Sequence, residues 1–134
     1  MKTKVREQNA PKEYAYMAYL RKENDAVEID YPLDKVWAAI PKALTNLEWT
    51  IKETDDTTHH IKAKTKGAFM SYPSTLIIDG IAVDKKTSRV KVVAETPVTT
   101  ITSVADFGRT RDRIEQFFEA LAIQLTKKTR KTSP

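Results

Sequence analysis

The chain has 134 residues, of which 40% are hydrophobic and 31% charged, as expected for a folded single domain and not for a disordered chain. It contains no cysteine, which excludes a disulfide scaffold and thiol chemistry. No apolar stretch approaches the roughly 20 residues that a membrane-spanning helix needs.

The formal net charge of +5 lies at the two ends of the chain. Residues 1–12 carry +3 and residues 127–134 carry +4, so the rest of the chain sums to −2. A nucleic-acid-binding domain carries its basic residues on the folded surface. We therefore predict no nucleic-acid partner, and one folded domain over residues 13–126 between two disordered basic tails. The chain as written is predicted to be cytoplasmic, or exported if a signal peptide has been removed.

The first folded segments predict two short strands. Apolar residues alternate with polar ones over 15–20 and again over 26–31, while residues 22–25 favour a turn. Good helix formers within the first segment also leave a helix open there.

A helix is predicted next, beginning at Pro32 and ending near Asn46. Proline suits the first helical position, and Asp34 suits the positive end of the helix dipole. The apolar residues of this segment share one face: Val36, Ile40, Ala43, Leu44 and Leu47. Pro41 removes the N–H that would bond the carbonyl of Trp37, so we expect a kink or a split into two short helices.

The centre of the chain alternates between apolar and polar residues, which predicts strands. We place them at 48–54, 59–66, 74–83, 89–95 and, less regularly, 98–104. In the second of these, Ile61, Ala63 and Thr65 point one way and three lysines the other, so one face of the sheet is wet. Between 67 and 73 we expect a loop with large apolar side chains.

The last helix has the strongest pattern, an apolar stripe that suits packing on a sheet: Ile114, Phe117, Phe118, Leu121, Ala122 and Leu125. Asp106 or Thr110 could cap its start. We predict an α+β fold in which a curved, mostly antiparallel sheet grips this C-terminal helix, in the order β-β-α-β-β-β-β-β-α.

Three segments resemble small bacterial helix-grip domains. These are Val27–Leu47 with Tyr31-Pro32-Leu33-Asp34-Lys35-Val36-Trp37-Ala38-Ala39 at its centre, Trp49-Thr50-Ile51 followed by Ile61-Lys62-Ala63, and Asp106-Phe107-Gly108-Arg109 before the last helix. Such domains occur in bacterial lipoproteins, including the C subunit of the outer-membrane barrel assembly machine. The resemblance covers about residues 26–125 and implies a binding or scaffolding role. The chain has no lipobox cysteine, so export and membrane anchoring are not implied.

Catalytic and metal sites are not evident in the sequence. His59 and His60 are adjacent, and neighbouring residues of a strand point to opposite faces, so the two cannot hold one metal together. Asp55 and Asp56 fall in a turn, where aspartates bond the local backbone. We therefore predict no metal, no cofactor and no enzymatic activity.

Three arginines precede or begin the last helix: Arg109, Arg111 and Arg113. Together with the free N–H groups of a helix start, they suggest a site for a phosphate or carboxylate. The alternative is that Arg109 and Arg113 form ordinary ion pairs with Asp106, Asp112 or sheet carboxylates such as Glu95.

A second candidate is a groove between this helix and the sheet. Its predicted lining is Trp37, Phe69, Tyr72, Phe117 and Arg109, because pockets combine apolar walls with a few polar anchors. The same aromatic residues could instead fill the core. The predicted function is a non-catalytic binding module for a small apolar or anionic ligand or a peptide. The alternative is an interaction domain that works through a sheet edge or a homodimer face.

Overall fold

The computed structural model describes residues 17–67, 72–99, 102 and 106–132. Within these ranges five strands form one antiparallel sheet, and two helices pack on one of its faces. The strands are β1 (Met17–Ile29), β2 (Thr50–Asp55), β3 (His60–Lys64), β4 (Thr75–Ala82) and β5 (Ser88–Thr99), and the helices are α1 (Leu33–Asn46) and α2 (Arg109–Thr132). The strand order is β1-β5-β4-β3-β2, so β1 and β2 form the two edges.

The sheet has one dry and one wet face. Burial alternates with period two along β4 and β5, as expected for a sheet that is covered on one side only. In β3, Ile61 and Ala63 are buried while Lys64 is exposed, which agrees with the predicted pattern. The wet face carries cross-strand ion pairs between Lys22 and Glu95, Arg89 and Glu28, and Lys62 and Glu53.

The core lies between the dry face and the apolar stripes of both helices. Its largest buried side chains come from α1, α2 and the strands β3 and β4: Ile40, Leu44, Ile61, Leu76, Ile78, Ile114, Phe117 and Leu121. At one end of the sheet α1 approaches β4 closely at Gly80. A Cβ atom there would lie 3.1 Å from Leu33 Cδ1 and 3.6 Å from Trp37 Cε3, so a glycine is favoured at this contact.

The predicted α+β class is confirmed, with an antiparallel sheet and a C-terminal helix packed against it. The predicted number of strands is corrected. Residues 17–20 and 26–29 of the two predicted strands belong to one strand, β1, while residues 15–16 lie outside the described residues. Residues 22–25 between the two segments are paired with β5 instead of forming a turn. These polar residues are compatible with a strand because they have partners: Lys22 lies 3.4 Å from Glu95, and Asp25 2.9 Å from Arg111.

The predicted strands 89–95 and 98–104 are also joined. β5 runs without interruption through Pro97, which pairs with Leu20 of β1. β4 pairs no further along β5 than Glu95, so only β1 flanks the proline, and it interrupts no ladder with a second strand. Residue 102 is helical, while 100–101 and 103–104 lie outside the described residues.

The helix α1 lies within its predicted bounds, whereas α2 extends further than expected. α1 continues through Pro41, so the predicted split into two helices is wrong. α2 reaches Thr132, beyond the predicted end of the domain at residue 126. The proposed N-terminal tail, residues 1–12, lies outside the described residues, and the domain boundaries stay a prediction. No helix of the described chain is long and apolar enough to cross a membrane.

Candidate functional site

Buried polar side chains gather at one end of the interface between α2 and the sheet. Of the buried polar residues in the described chain, all but Ser88 lie here: Thr65, Ser74, Thr96, Asp106, Thr110 and Arg113. Arg21 of β1 joins them through an ion pair of 3.2 Å between its Nη1 and Asp106 Oδ2. We call Arg21, Ser74, Thr96, Asp106, Thr110 and Arg113 the polar network.

The six members come from five parts of the fold, beginning with Arg21 on β1. Ser74 immediately precedes β4, Thr96 lies on the dry side of β5, and Asp106 lies in the turn before α2. Thr110 and Arg113 stand in the first turns of α2, three residues apart and therefore on one face of the helix. The network thus joins the start of α2 to the sheet at a point where an apolar contact would be the usual choice.

Three hydroxyl groups link a guanidinium to a carboxylate. Arg113 Nη1 donates to Ser74 Oγ, and Ser74 Oγ bonds Thr96 Oγ1. Thr96 Oγ1 lies 2.8 Å from Thr110 Oγ1, which donates to Asp106 Oδ2 at 3.2 Å.

The direction of this chain follows from its ends. A guanidinium only donates and a carboxylate only accepts, while each hydroxyl has a single proton. Thr110 gives its proton to Asp106, so Thr96 must donate to Thr110, and Ser74 must donate to Thr96. All bonds run from Arg113 towards Asp106, an arrangement in which each bond polarises and strengthens the next.

Arg113 occupies the innermost position of the three predicted arginines. Only 6% of its surface is exposed, and its Nη1 also donates to the carbonyl of Tyr72 at 3.1 Å. Burial lowers the pKa of the guanidinium, the neighbouring Asp106 opposes this effect, and the like charge of Arg109 adds to it. The end of the interface is therefore a buried, positively charged position bounded by hydroxyl groups.

The structure does not bring the three arginines to one point. Arg111 points to β1, where its Nη1 donates to the carbonyl of Asn24 at 3.0 Å and its Nη2 to Asp25 Oδ2 at 2.9 Å. Arg109 lies one helical turn before Arg113 and is partly exposed. The predicted three-arginine site thus divides into an inward pair, Arg109 and Arg113, and an outward Arg111.

The predicted aromatic lining divides as well. Tyr72 lies beside Arg113 with 47% of its surface exposed, and Phe117 lies one turn further along α2 in the core. Trp37 contacts the opposite end of β4, near Gly80, six residues and therefore roughly 20 Å from Ser74. There its ring packs edge-on against His59, and its Nε1 donates to Asp56 Oδ1 at 2.9 Å. Phe69 lies outside the described residues.

The two histidines lie in different surroundings, but His59 belongs to the turn before β3, with a φ of 57°, and not to the strand that was predicted to begin there. His59 contacts Trp37, whereas His60 Nδ1 lies 2.7 Å from Asp79 Oδ1 of the adjacent strand β4. Within the described ranges no three His, Cys, Asp or Glu side chains come together as metal ligands. Asp55 accepts the backbone N–H groups of Thr57 and Thr58, the turn role that the sequence predicted.

A shallow groove runs between the two helices at the far end of α2. Its lining is mostly polar: Pro41, Lys42, Thr45, Asn46, Glu48, Gln124 and Lys127. Such an open, polar groove lacks the apolar walls of a typical ligand site.

Sequence reasoning identified Arg113 and, as a helix cap, Asp106 and Thr110, but it missed Arg21, Ser74 and Thr96. Thr96 left a signal, since it follows Val92 and Ala94 at strand spacing and therefore points to the dry face. A hydroxyl in that position requires a buried partner. Ser74 and Arg21 gave no such signal, because their neighbourhood depends on the pairing of distant segments.

No family model and no curated protein matches the chain. Among solved structures it is similar to norcoclaurine synthase from Thalictrum flavum in complex with dopamine and hydroxybenzaldehyde, with a TM-score of 0.57 and 12% identity, over 100% of this chain and 99% of that one. It is similar to Ara h 8.0201, with a TM-score of 0.62 and 10% identity, over 81% and 99% of the two chains. The Zhui aromatase/cyclase from Streptomyces sp. R1128 matches with a TM-score of 0.52 and 13% identity, over 79% and 88%.

These structures are helix-grip domains, so the predicted fold is confirmed, while no link to lipoproteins is shown. The prediction that the chain is not an enzyme is wrong. Norcoclaurine synthase and the aromatase/cyclases share this fold and are enzymes, although the fold also contains non-enzymes. The lack of a recognisable catalytic motif therefore does not exclude catalysis.

Proposed function

We propose that the chain binds a small organic ligand with an apolar body and an anionic group. The anionic group lies at the polar network, near Arg113, and the apolar body lies against Tyr72 and the adjoining part of α2. The observation that carries this proposal is the burial of Arg113 among hydroxyl groups at one end of an otherwise apolar interface.

The energetics of a buried guanidinium support this choice. Removing a cation from water is costly unless hydrogen bonds and an opposite charge offset the loss. Asp106 forms an ion pair with Arg21, and its charge also acts on the buried Arg113. An anion at Arg113 would accept charge-assisted hydrogen bonds in a region with low exposure to water, where such bonds are strong.

The similar structures support a small-molecule ligand. One norcoclaurine synthase structure contains dopamine and hydroxybenzaldehyde, and another contains a transition state analogue. Both compounds named in the first structure are small aromatic molecules. For this chain we infer a ligand of similar size that also carries an acidic group, because Arg113 would bind such a group.

Only some of the other predicted lining residues would contact the ligand. Arg109 would approach the anionic group from one turn before Arg113, and Phe117 would form the inner wall. Trp37 lies at the other end of the sheet and has no part in this site. Phe69 belongs to a segment next to Tyr72 in sequence and remains a predicted wall residue. The resemblance to lipoprotein domains identifies no ligand and does not enter the proposal.

A pair of fluorescent probes tests the proposal. 1-Anilinonaphthalene-8-sulfonate and N-phenyl-1-naphthylamine share one apolar body, and only the first carries a negative charge. We expect the full-length chain to bind the sulfonate at least about tenfold more tightly, since one charge-assisted hydrogen bond contributes about 1.5–3 kcal/mol. Arg113→Gln should remove this preference while leaving the neutral probe unaffected.

Arg89→Gln is the matched control, because it removes an arginine from the wet face of the same sheet. It should leave both affinities unchanged. Far-ultraviolet circular dichroism of each variant shows that the fold is retained, which matters because the sulfonate probe also binds loosely packed states. Equal binding of the two probes to the folded wild-type chain would contradict the proposal.

A further inference from the structure

The strand β1 is the longer of the two edge strands of the sheet. It has 13 residues and pairs with β5 on one side only. A long open edge presents a row of unpaired backbone groups, to which another strand can add. A sheet edge was one of the two interaction surfaces predicted from the sequence. Whether β1 can bind another strand depends on whether its outward N–H and C=O groups are already hydrogen-bonded.

The middle of this edge is already occupied by side chains of the same chain. The N–H of Ala26 donates to Asp25 Oδ1 at 2.8 Å, and the carbonyl of Asn24 accepts from Arg111 Nη1 at 3.0 Å. In an antiparallel pair, alternate residues direct both backbone groups to the partner strand or away from it. Asn24 and Ala26 are two residues apart and belong to the same set. Since the Ala26 N–H bonds a side chain, this set faces away from β5.

A single ion pair connects both blocked positions. Arg111 Nη2 lies 2.9 Å from Asp25 Oδ2, so the same two side chains that take the backbone groups also hold each other. Arg111 comes from α2, 86 residues away in sequence, and reaches across the edge of the sheet. This is a specific arrangement for covering an edge with charged side chains, a known means of preventing strand addition.

The charges on β1 fit one particular partner, a second copy of this chain. If two β1 strands paired antiparallel about a two-fold axis at Asp25, Lys22 of each copy would face Glu28 of the other. Within one chain Lys22 already pairs with Glu95, and Glu28 with Arg89. The combined row would alternate in sign across both sheets, Arg89, Glu28, Lys22, Glu95, and opposite charges on facing strands are stabilising.

The same axis would place the two Asp25 carboxylates opposite each other. Like charges on directly facing residues are destabilising, so Asp25 disfavours this dimer in two ways, by its charge and by its bond to the Ala26 N–H. We propose that Asp25 and Arg111 prevent the β1 edge from pairing with β1 of a second copy of this chain. Arg111 therefore has a role distinct from ligand binding, and the proposal does not depend on the function proposed above.

The oligomeric state of a variant that lacks both blocking side chains tests this proposal. The wild-type chain of 15.3 kDa should sediment as a monomer at concentrations up to about 0.1 mM, a range in which weak self-association becomes visible. Asp25→Ala/Arg111→Ala should form a dimer at the same concentrations, with an affinity at least tenfold higher. Glu119→Ala/Lys127→Ala, which removes one charge of each sign from exposed positions of α2, is the matched control and should stay monomeric.

The register can be tested by a disulfide, because the chain has no cysteine of its own. In Asp25→Cys/Arg111→Ala the introduced thiols would face each other across the axis and should form a dimer under mild oxidation. In Asp25→Ala/Glu28→Cys/Arg111→Ala, which also lacks both blocking side chains, each thiol would face Lys22 of the other copy, and no disulfide should form.

The proposal is overturned if Asp25→Ala/Arg111→Ala is folded by circular dichroism but remains monomeric. It is also overturned if the two cysteine variants cross-link equally. Should the double alanine variant not fold, Asp25→Ala alone decides instead, since it removes the like charge at the axis and frees the Ala26 N–H. A folded Asp25→Ala that stays monomeric would likewise overturn the proposal.

Discussion

The two ends of the interface between α2 and the sheet are built in opposite ways. At its start α2 contacts the sheet through the polar network, in which a directed chain of hydroxyls links Arg113 to Asp106. Further along, the contact is made by Ile114, Phe117 and Leu121, which are almost completely buried. One helix thus has a polar and an apolar contact within four turns.

The apolar end of the α2 interface contributes mainly to stability, and we assign ligand recognition to its polar end. Apolar burial stabilises the fold in proportion to area and has little directional preference. A buried polar network contributes little net stability, yet it requires each partner in one place. We therefore expect substitutions at the apolar end to affect mainly unfolding, and substitutions at the polar end to affect mainly binding.

The largest effect on stability should come from Phe117→Ala. The side chain is fully buried between α2 and the sheet, and large-to-small substitutions of this kind cost about 3–5 kcal/mol. Urea denaturation would measure the loss. Phe107→Ala is the control, because Phe107 is 83% exposed and its removal should cost less than about 0.5 kcal/mol. Equal losses for the two would mean that the core does not depend on Phe117.

An intermediate effect should follow from breaking the hydroxyl chain. Thr96→Val removes the central hydroxyl and leaves Ser74 without its acceptor, which should cost about 1–3 kcal/mol. Thr110→Val interrupts the same chain one bond further along. The double variant should lose clearly less than the sum of the two single losses, because members of one network are coupled. Additive losses in urea denaturation would show that the three hydroxyls act independently.

The smallest effect lies outside this interface, at the turn after β2. The backbone N–H groups of Thr58 and Thr57 lower the pKa of Asp55 below its ordinary value of 3.8. The charged carboxylate therefore stabilises the fold above about that pH, and this contribution is lost as the pH falls through the lower pKa of the folded state. Between pH 6 and pH 2 the melting temperature should fall more for the wild-type chain than for Asp55→Asn. Parallel curves would show that the turn does not respond to this charge.

Much of the fold could be predicted from local patterns. The alternation of Ile61, Ala63 and Thr65, and the helical spacing of Ile114, Phe117 and Leu121, depend only on which side of an element faces the core. The errors occurred where distant partners outweigh local preference. Residues 22–25 favour a turn on their own, but Lys22 and Asp25 meet Glu95 and Arg111 and remain in a strand.

The candidate site was harder to predict for the same reason. Arginines 109, 111 and 113 are neighbours in sequence, yet a helix turns about 100° per residue and directs Arg111 away from the other two. Ser74, Thr96 and Arg21 meet only because β1, β4 and β5 pair in one register. No local pattern contains that register, so these residues appeared only in the structure.

The central claim is that ligands are recognised at the polar end of the α2 interface. A titration of the folded, isotope-labelled chain with 1-anilinonaphthalene-8-sulfonate, followed by two-dimensional NMR, tests it most directly. The backbone amides of Ser74, Thr96 and Thr110 should shift with saturation, while the indole N–H of Trp37, which bonds Asp56 at the other end of the sheet, should not move. Shifts of the Trp37 indole with unmoved amides at those three positions would contradict the account.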